Sequence, residues 1–255
     1  MCQAQQGGTP IPTHLRRFFV EEIPEPGQRF ALRGEEAHHM LSVVRIRKGE
    51  NVLLLDGEGI VAEARLEEAR RDEATLVVLS RETVLIEPAR RLTLACAVPR
   101  SSRMDTLVEK CGELGVARLM PMVTARSVVD AMERQENHLL RWRRIGIEAA
   151  KQSGRTKLTE LTAVLPFDAA LRTADPGAAR LIASPEPDAV GLAEFAAALS
   201  KEQAIQAFIG PEGGFTPEEV LAARGAGCVP VSLGPRILRV ETAGIALAAY
   251  FLLGT

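Results

Sequence analysis

The spacing of apolar and polar positions changes character near residue 88. Upstream, apolar residues come in short segments bounded by turn residues. Residues 16–20 (Arg16, Arg17, Phe18, Phe19, Val20) and 29–32 (Arg29, Phe30, Ala31, Leu32) read as strands separated by Pro24, Pro26 and Gly27. Residues 35–44 place Ala37, Met40, Leu41 and Val44 at helical spacing. Arg45, Arg47, Lys48 and Gly49 then supply the cations and the glycine that end a helix. Residues 51–55 run into Asp56-Gly57, and 60–66 and 75–79 alternate like half-buried antiparallel strands. This predicts a small β-barrel over 15–87, behind a disordered tail at 1–14.

Downstream the rhythm is strand, helix, strand. Residues 92–98 form a continuous apolar run. Ser101 or Ser102 caps a helix with Met104, Leu107, Val108, Cys111 and Leu114 on one face, and Gly115 ends it. Strands follow at 116–123 and 181–185, with helices at 134–153 and 192–199. Two strand–loop–helix stretches come next. In the first, Ala207-Phe208-Ile209 passes through Gly210-Pro211-Glu212-Gly213-Gly214 to a helix with Thr216 as N-cap, Pro217 at its first position and Glu219 completing a capping box. In the second, Val229 to Leu233 breaks at Gly234-Pro235, and Arg236 and Arg239 flank Ile237-Leu238. The alternation predicts a parallel α/β sheet over 88–255, joined to the barrel by a linker at 87–91. The last helix, 242–253, is apolar nearly all round, so either its own core or a second subunit must cover it.

Candidate chemistry centres on the two loops. Gly210, Gly213 and Gly214 allow backbone conformations and a closeness of approach that side chains forbid. A tight turn without a ligand fits the same residues. A P-loop does not, because no Gly-Lys-Ser/Thr follows. Two such loops, one strand–helix unit apart, would lie together at the carboxyl ends of neighbouring parallel strands, where α/β sheets bind ligands.

Composition narrows the classes only slightly. The 255 residues are 46% hydrophobic and 25% charged with net charge −2, an ordinary globular balance and no announcement of a nucleic-acid binder. The distribution says more. Residues 134–157 hold seven basic residues (Arg134, Arg141, Arg143, Arg144, Lys151, Arg155, Lys157) against Glu136 and Glu148, which is either a solvated helix face or a phosphate-contacting one. Trp142 among them either stacks on a base or anchors the helix. The four cysteines (Cys2, Cys96, Cys111, Cys228) form no Cys-x-x-Cys and no Cys/His cluster, so reduced thiols and no metal are expected. The four histidines (His14, His38, His39, His138) are too scattered for a catalytic set. No run reaches membrane-spanning length, and the N-terminus lacks a signal-peptide core, so a cytoplasmic protein is expected.

Ile-Gly-Pro-Glu-Gly-Gly at 209–214 and Leu-Gly-Pro-Arg-Ile-Leu-Arg at 233–239, followed by Glu241-Thr242-Ala243, resemble the C-terminal half of the bacterial 16S ribosomal RNA (uracil-N3)-methyltransferases. These belong to the SPOUT superfamily of knotted, S-adenosylmethionine-dependent RNA methyltransferases. Two further segments are similar to the family's: Met104 to Val116, with Glu109-Lys110 and Glu113-Leu114-Gly115-Val116, and Ile147 to Arg155, with Gln152-Ser153-Gly154-Arg155. The likeness runs from Arg16 almost to the end. Lys151 departs from it, standing where an acidic residue is usual. Ser101-Ser102 stands where Lys-Gly is common, and Val240 where Thr is frequent.

The resemblance implies S-adenosylmethionine held by Ser184, Pro185, Ile209, Gly210, Pro211, Glu212, Gly213, Gly214, Leu233, Gly234, Ile237, Leu238 and Thr242, with apolar side chains sandwiching adenine. It also implies a trefoil knot, a PUA-like RNA-binding barrel and a homodimer acting on small-subunit ribosomal RNA. Uracil N3 carries a proton, and removing it spreads negative charge onto the flanking carbonyls, which a fixed cation stabilises. Arg239 is the candidate cation. Glu241 is either the proton acceptor or a carboxylate favoured at a helix start. Candidate RNA contacts are Arg16, Arg17, Arg45, Arg47, Arg144, Arg155 and Arg236. Two alternatives remain: a different acceptor such as a ribose 2′-hydroxyl, and an RNA-binding or assembly protein without turnover.

Overall fold

The computed structural model describes residues 14–99, 102–127 and 135–253. The expected tail up to residue 13, Cys2, Ser101 and Arg134 lie outside them. The chain groups into two units: residues 1–86 with 150–157, and residues 87–149 with 158–255.

The first unit carries β1 (Arg17–Phe19), β2 (Arg29–Arg33), α1 (Gly34–His38), β3 (Asn51–Leu55), β4 (Ile60–Arg70) and β5 (Glu73–Thr83). They form a five-stranded sheet in the order β1-β3-β4-β5-β2. β1 lies parallel to β3, and the other neighbours are antiparallel. Alternate residues of each strand turn inward, as a period of two requires. Phe18, Val52, Leu54, Ala62, Ala64, Leu66, Leu76 and Val78 meet in one core with Met40. The helix expected over 35–44 is shorter and changes form. After α1 the chain makes a π-helical turn, His39–Val43, and Ile46 N–H reaches back to the Met40 carbonyl at 3.0 Å. Arg45 then takes φ +61°, the only non-glycine residue with positive φ among the described residues.

Residues 150–157, expected with 88–255, join this unit through specific bonds. Arg17 Nη1 donates to the Lys151 carbonyl at 3.0 Å, and the Lys151 ammonium donates to Glu36 Oε1 at 2.8 Å. Gly59 N–H donates to the Thr156 carbonyl at 3.1 Å, and the Thr156 hydroxyl to the Val84 carbonyl. Lys151, the departure noted above, is buried and paired.

The second unit carries β6 (Leu92–Ala97), α2 (Arg103–Leu114), β7 (Arg118–Val123), α3 (Gln135–Ser153, whose last turn belongs to the first unit), β8 (Glu160–Leu161), β9 (Leu165–Pro166), α4 (Phe167–Arg172), β10 (Ala179–Ala183), β11 (Val190–Gly191), α5 (Leu192–Ala197), β12 (Ile205–Ile209), α6 (Pro217–Gly225), β13 (Val229–Ser232) and α7 (Val240–Leu252). The sheet is parallel throughout, in the order β11-β13-β10-β12-β6-β7-β8, with β9 also on β7. Strands buried on both faces read as near-continuous apolar runs, and β6 and β12 do so apart from Thr93 and Gln206. Leu94, Cys96, Leu181, Ala207 and Ile209 pack on one face with α2, α5, α7 and Trp142 of α3. Ala95, Ile182 and Phe208 pack on the other with α4 and α6. Trp142 is therefore an anchor, buried and stacked on His138 at 5.3 Å.

Two details position the site. Gly115 ends α2 in the left-handed region at φ +88°, as its sequence suggests. Ser102 holds the N-cap position but makes no side-chain cap bond. α7 returns from β13 to pack on β12, β6 and α2. A Cβ on Gly244 would lie 2.6 Å from Leu107 Cδ1, so a larger residue there would force the buried Leu107 side chain to shift. Cys96, Cys111 and Cys228 are buried, and desolvation pushes the Cys228 thiol up to about 11.

Candidate active site

Three loops leave adjacent strands at one level. Ala183, the last residue of β10, is in register with Ile209 of β12 and Val231 of β13. Ser184-Pro185, Gly210 to Thr216 and Leu233 to Arg239 therefore open on the same carboxyl edge of β13-β10-β12, the edge where parallel α/β sheets place ligands. Ser184 is buried and its hydroxyl bonds Glu186 Oε1 at 3.0 Å, whereas Pro185 is exposed.

The loop after β12 is tied down along its length. Gly214, at φ +70°, donates its N–H to the Pro211 carbonyl at 2.8 Å. Thr216 and Glu219 form the expected capping box, at 3.2 and 2.8 Å, with Pro217 at the start of α6. The Glu219 carboxylate also accepts from Ala125 N–H at 2.8 Å. Arg126 Nη1 donates to the carbonyls of Gly213 at 2.7 Å and Phe215 at 3.3 Å. A Cβ on Gly210 would lie 3.0 Å from the Phe215 ring, so a side chain there would press on the ring.

The loop after β13 is held more loosely. Gly234 sits at φ +107° and its N–H meets Ser232 Oγ at 3.3 Å. Leu233 and Leu238 are half-buried, Arg236 is exposed, and Ile237 is 94% exposed. Arg239 is the N-cap of α7, in extended backbone and exposed, and makes no side-chain cap bond. Thr242 is exposed one residue beyond Glu241. Glu241 itself keeps only 13% of its side chain exposed, and its Oε2 is buried without a hydrogen-bond partner.

Most of the expected cofactor residues thus come together. The side chain of Ile209 does not, because it is taken into the core, where α7 approaches at Gly244. Half-buried Leu233 and Leu238 and projecting Ile237, beside a glycine loop, suit a flat apolar ring. Two neighbours of these loops are absent from the sequence reading, Arg103 and Arg126. Arg103 bonds Glu212 Oε1 at 2.5 Å and lies 4.0 Å from Glu241 Oε1. A local signal for it exists: a cation at the first position of a helix opposes the macrodipole and needs a partner.

The basic candidates divide by exposure. Arg16, Arg45 and Arg47 are exposed on the first unit, and Arg144 and Arg236 on the second. Arg155 is buried, and Arg17 is half-buried with its guanidinium within 3.3 Å of the Cβ position of Gly154. Counting charges along 134–157 does not distinguish such inward-turned cations from outward ones.

Comparison with known proteins places the chain. Residues 86–252 match the RNA methyltransferase domain model. Ribosomal RNA small subunit methyltransferase E of Bacillus subtilis is 30% identical over 237 residues, covering 90% of this chain and 93% of the relative. The protein of the same name from Mycobacterium tuberculosis is 34% identical, covering 91% and 89%. The chain belongs to the ribosomal RNA small subunit methyltransferase E family. Residues 32–79 match the family's RNA methyltransferase PUA domain. A crystal structure of the Neisseria gonorrhoeae member bound to S-adenosyl methionine superposes with a TM-score of 0.84 at 34% identity, covering 93% of this chain and 96% of that one. No described helix is long and apolar enough to cross a membrane.

Proposed function

We propose that this protein transfers a methyl group from S-adenosylmethionine to N3 of a uridine in 16S ribosomal RNA of the small ribosomal subunit. The observation that carries the reading is the trio of loops on the carboxyl edge of β13-β10-β12, in a chain whose Neisseria gonorrhoeae relative was solved with S-adenosyl methionine bound. Ser184, Pro185, the backbone from Ile209 to Gly214, Glu212, Leu233, Gly234, Ile237, Leu238 and Thr242 hold the cofactor. Bound there, S-adenosylmethionine supplies a methyl group already activated on a sulfonium.

The chain's own work is to orient, to remove a proton and to stabilise charge. N3 lies on the pairing edge, so the uridine enters unpaired. Glu241 takes the N3 proton; its Oε2, without a partner in this structure, is the acceptor atom. Arg239 sets its guanidinium against the uracil carbonyl oxygens that gain negative charge as the proton leaves. Arg16, Arg45, Arg47, Arg144 and Arg236 contact phosphates.

Residues 15–87 form a PUA-like barrel, and the segment after β13 threads a loop of the second unit to form a trefoil knot. The return of α7 onto β12, β6 and α2 supports that path. The protein acts as a cytoplasmic homodimer without metal. Ala246, Tyr250 and Leu253 leave an apolar stripe of α7 exposed, which a second copy covers. Addition of S-adenosylmethionine should raise the melting temperature, as site-specific binding requires. No rise would sink the cofactor assignment.

A further inference from the structure

Arg103 opens α2 at the carboxyl edge of β6, although a cation there faces the positive end of the helix. Two carboxylates from two other segments offset this. Arg103 Nη1 lies 2.5 Å from Glu212 Oε1, in the loop after β12, and Nε lies 4.0 Å from Glu241 Oε1, in the first turn of α7. Glu241 Oε2, the other oxygen of that carboxylate, is buried and has no hydrogen-bond partner. One guanidinium thus spans the glycine loop and the residue that follows the second loop.

We infer that Arg103 is a positioning residue that clasps the two cofactor loops together through Glu212 and Glu241. The inference rests on the cofactor reading above. Its physical basis is the shape of the group. A planar guanidinium offers several donors in a fixed fork and can serve two acids at once, which the point charge of an ammonium does less well. Remove it, and two carboxylates face each other across the mouth of the site without compensation. The Arg103 side chain is 35% exposed and that of Glu212 is 42% exposed, so solvent screens the pair and its contribution to fold stability is small. The clasp acts on ligand affinity and on the placement of Glu241, more than on folding.

The test uses the full chain, unmodified and as Arg103→Ala, Arg103→Lys, Glu212→Gln and the Arg103→Ala/Glu212→Gln double variant. Each is titrated with S-adenosylmethionine by calorimetry, and its melting temperature is recorded without cofactor. Arg103→Ala should weaken binding about tenfold, the scale of one charge-assisted hydrogen bond. Its cofactor-free melting temperature should move by less than about 4 °C. Arg103→Lys should recover part of the affinity, and the double variant should bind no more weakly than the weaker single one. Unchanged binding in Arg103→Ala would overturn the inference. So would a double variant whose loss is the product of the single losses, or a fall in cofactor-free melting temperature that accounts for the weaker binding. Absence of binding by the unmodified chain would overturn the cofactor reading itself, and this inference with it.

Discussion

The loops after β12 and β13 share one sheet edge and similar glycine–proline punctuation, yet they are built on opposite plans. The first is fastened by its capping box, by Arg126 on two carbonyls, by Arg103 on Glu212 and by Phe215 against Gly210. The second projects Ile237 almost fully into solvent and enters α7 at Arg239 without a side-chain cap. A preorganised loop costs little to order when a ligand arrives, whereas an open one closes over it. The pair thus reads as a fixed cradle and an open flap, with Arg239, the proposed catalytic cation, on the open side.

The largest expected effect lies on that side. Arg239→Ala should lower kcat by about 10²–10³-fold, the usual loss on removing one charge-stabilising donor. Cofactor affinity by calorimetry should be retained. Equal loss of both would make Arg239 part of the cofactor site and blur the contrast between the loops. Next comes the cradle. Gly210→Val drives a side chain into the Phe215 ring and should cost about 1–3 kcal/mol of stability in urea unfolding. Retained stability would mean that the cradle is softer than its packing indicates. Thr216→Ala removes half of the capping box and should cost about 1 kcal/mol by the same measurement. The smallest effect on folding belongs to the flap. Ile237→Ser should shift cofactor-free stability by no more than about 0.5 kcal/mol. It should nevertheless shrink the rise in melting temperature that S-adenosylmethionine produces. If that rise is unchanged, Ile237 does not touch the cofactor.

Local sequence carried much of this. The capping box Thr216–Glu219, the stop at Gly115 and the alternation of apolar strands with helices from Leu92 to Leu252 are short-range patterns, and the structure contains them. The stretch between α3 and β10 was not legible. β8 and β9 are two residues each and α4 is six, too short to establish a period. The stretch is held by long-range bonds instead, such as Arg118 Nε to Glu160 Oε2 of β8 at 2.9 Å and, after α4, Gln206 Nε2 to the Thr173 carbonyl at 2.6 Å and Thr93 Oγ1 to Asp175 at 2.6 Å. The same limit explains the site. Arg103 and Arg126 meet their loops across roughly ninety to a hundred and forty residues of chain, and no local pattern reports such partners. Burial of Lys151 and Arg155 was hidden for a similar reason, since helical charge counts say nothing about which side meets protein.

The identity of the methylated nucleoside tests the proposed reaction most directly. The protein should be incubated with S-adenosylmethionine labelled in its methyl group and with small ribosomal subunits from a strain lacking this modification. Nucleosides from the digested RNA are then separated and weighed. Label in 3-methyluridine, lost in Arg239→Ala, is the predicted result. Label in any other nucleoside, or none from a protein that binds the cofactor, would contradict it.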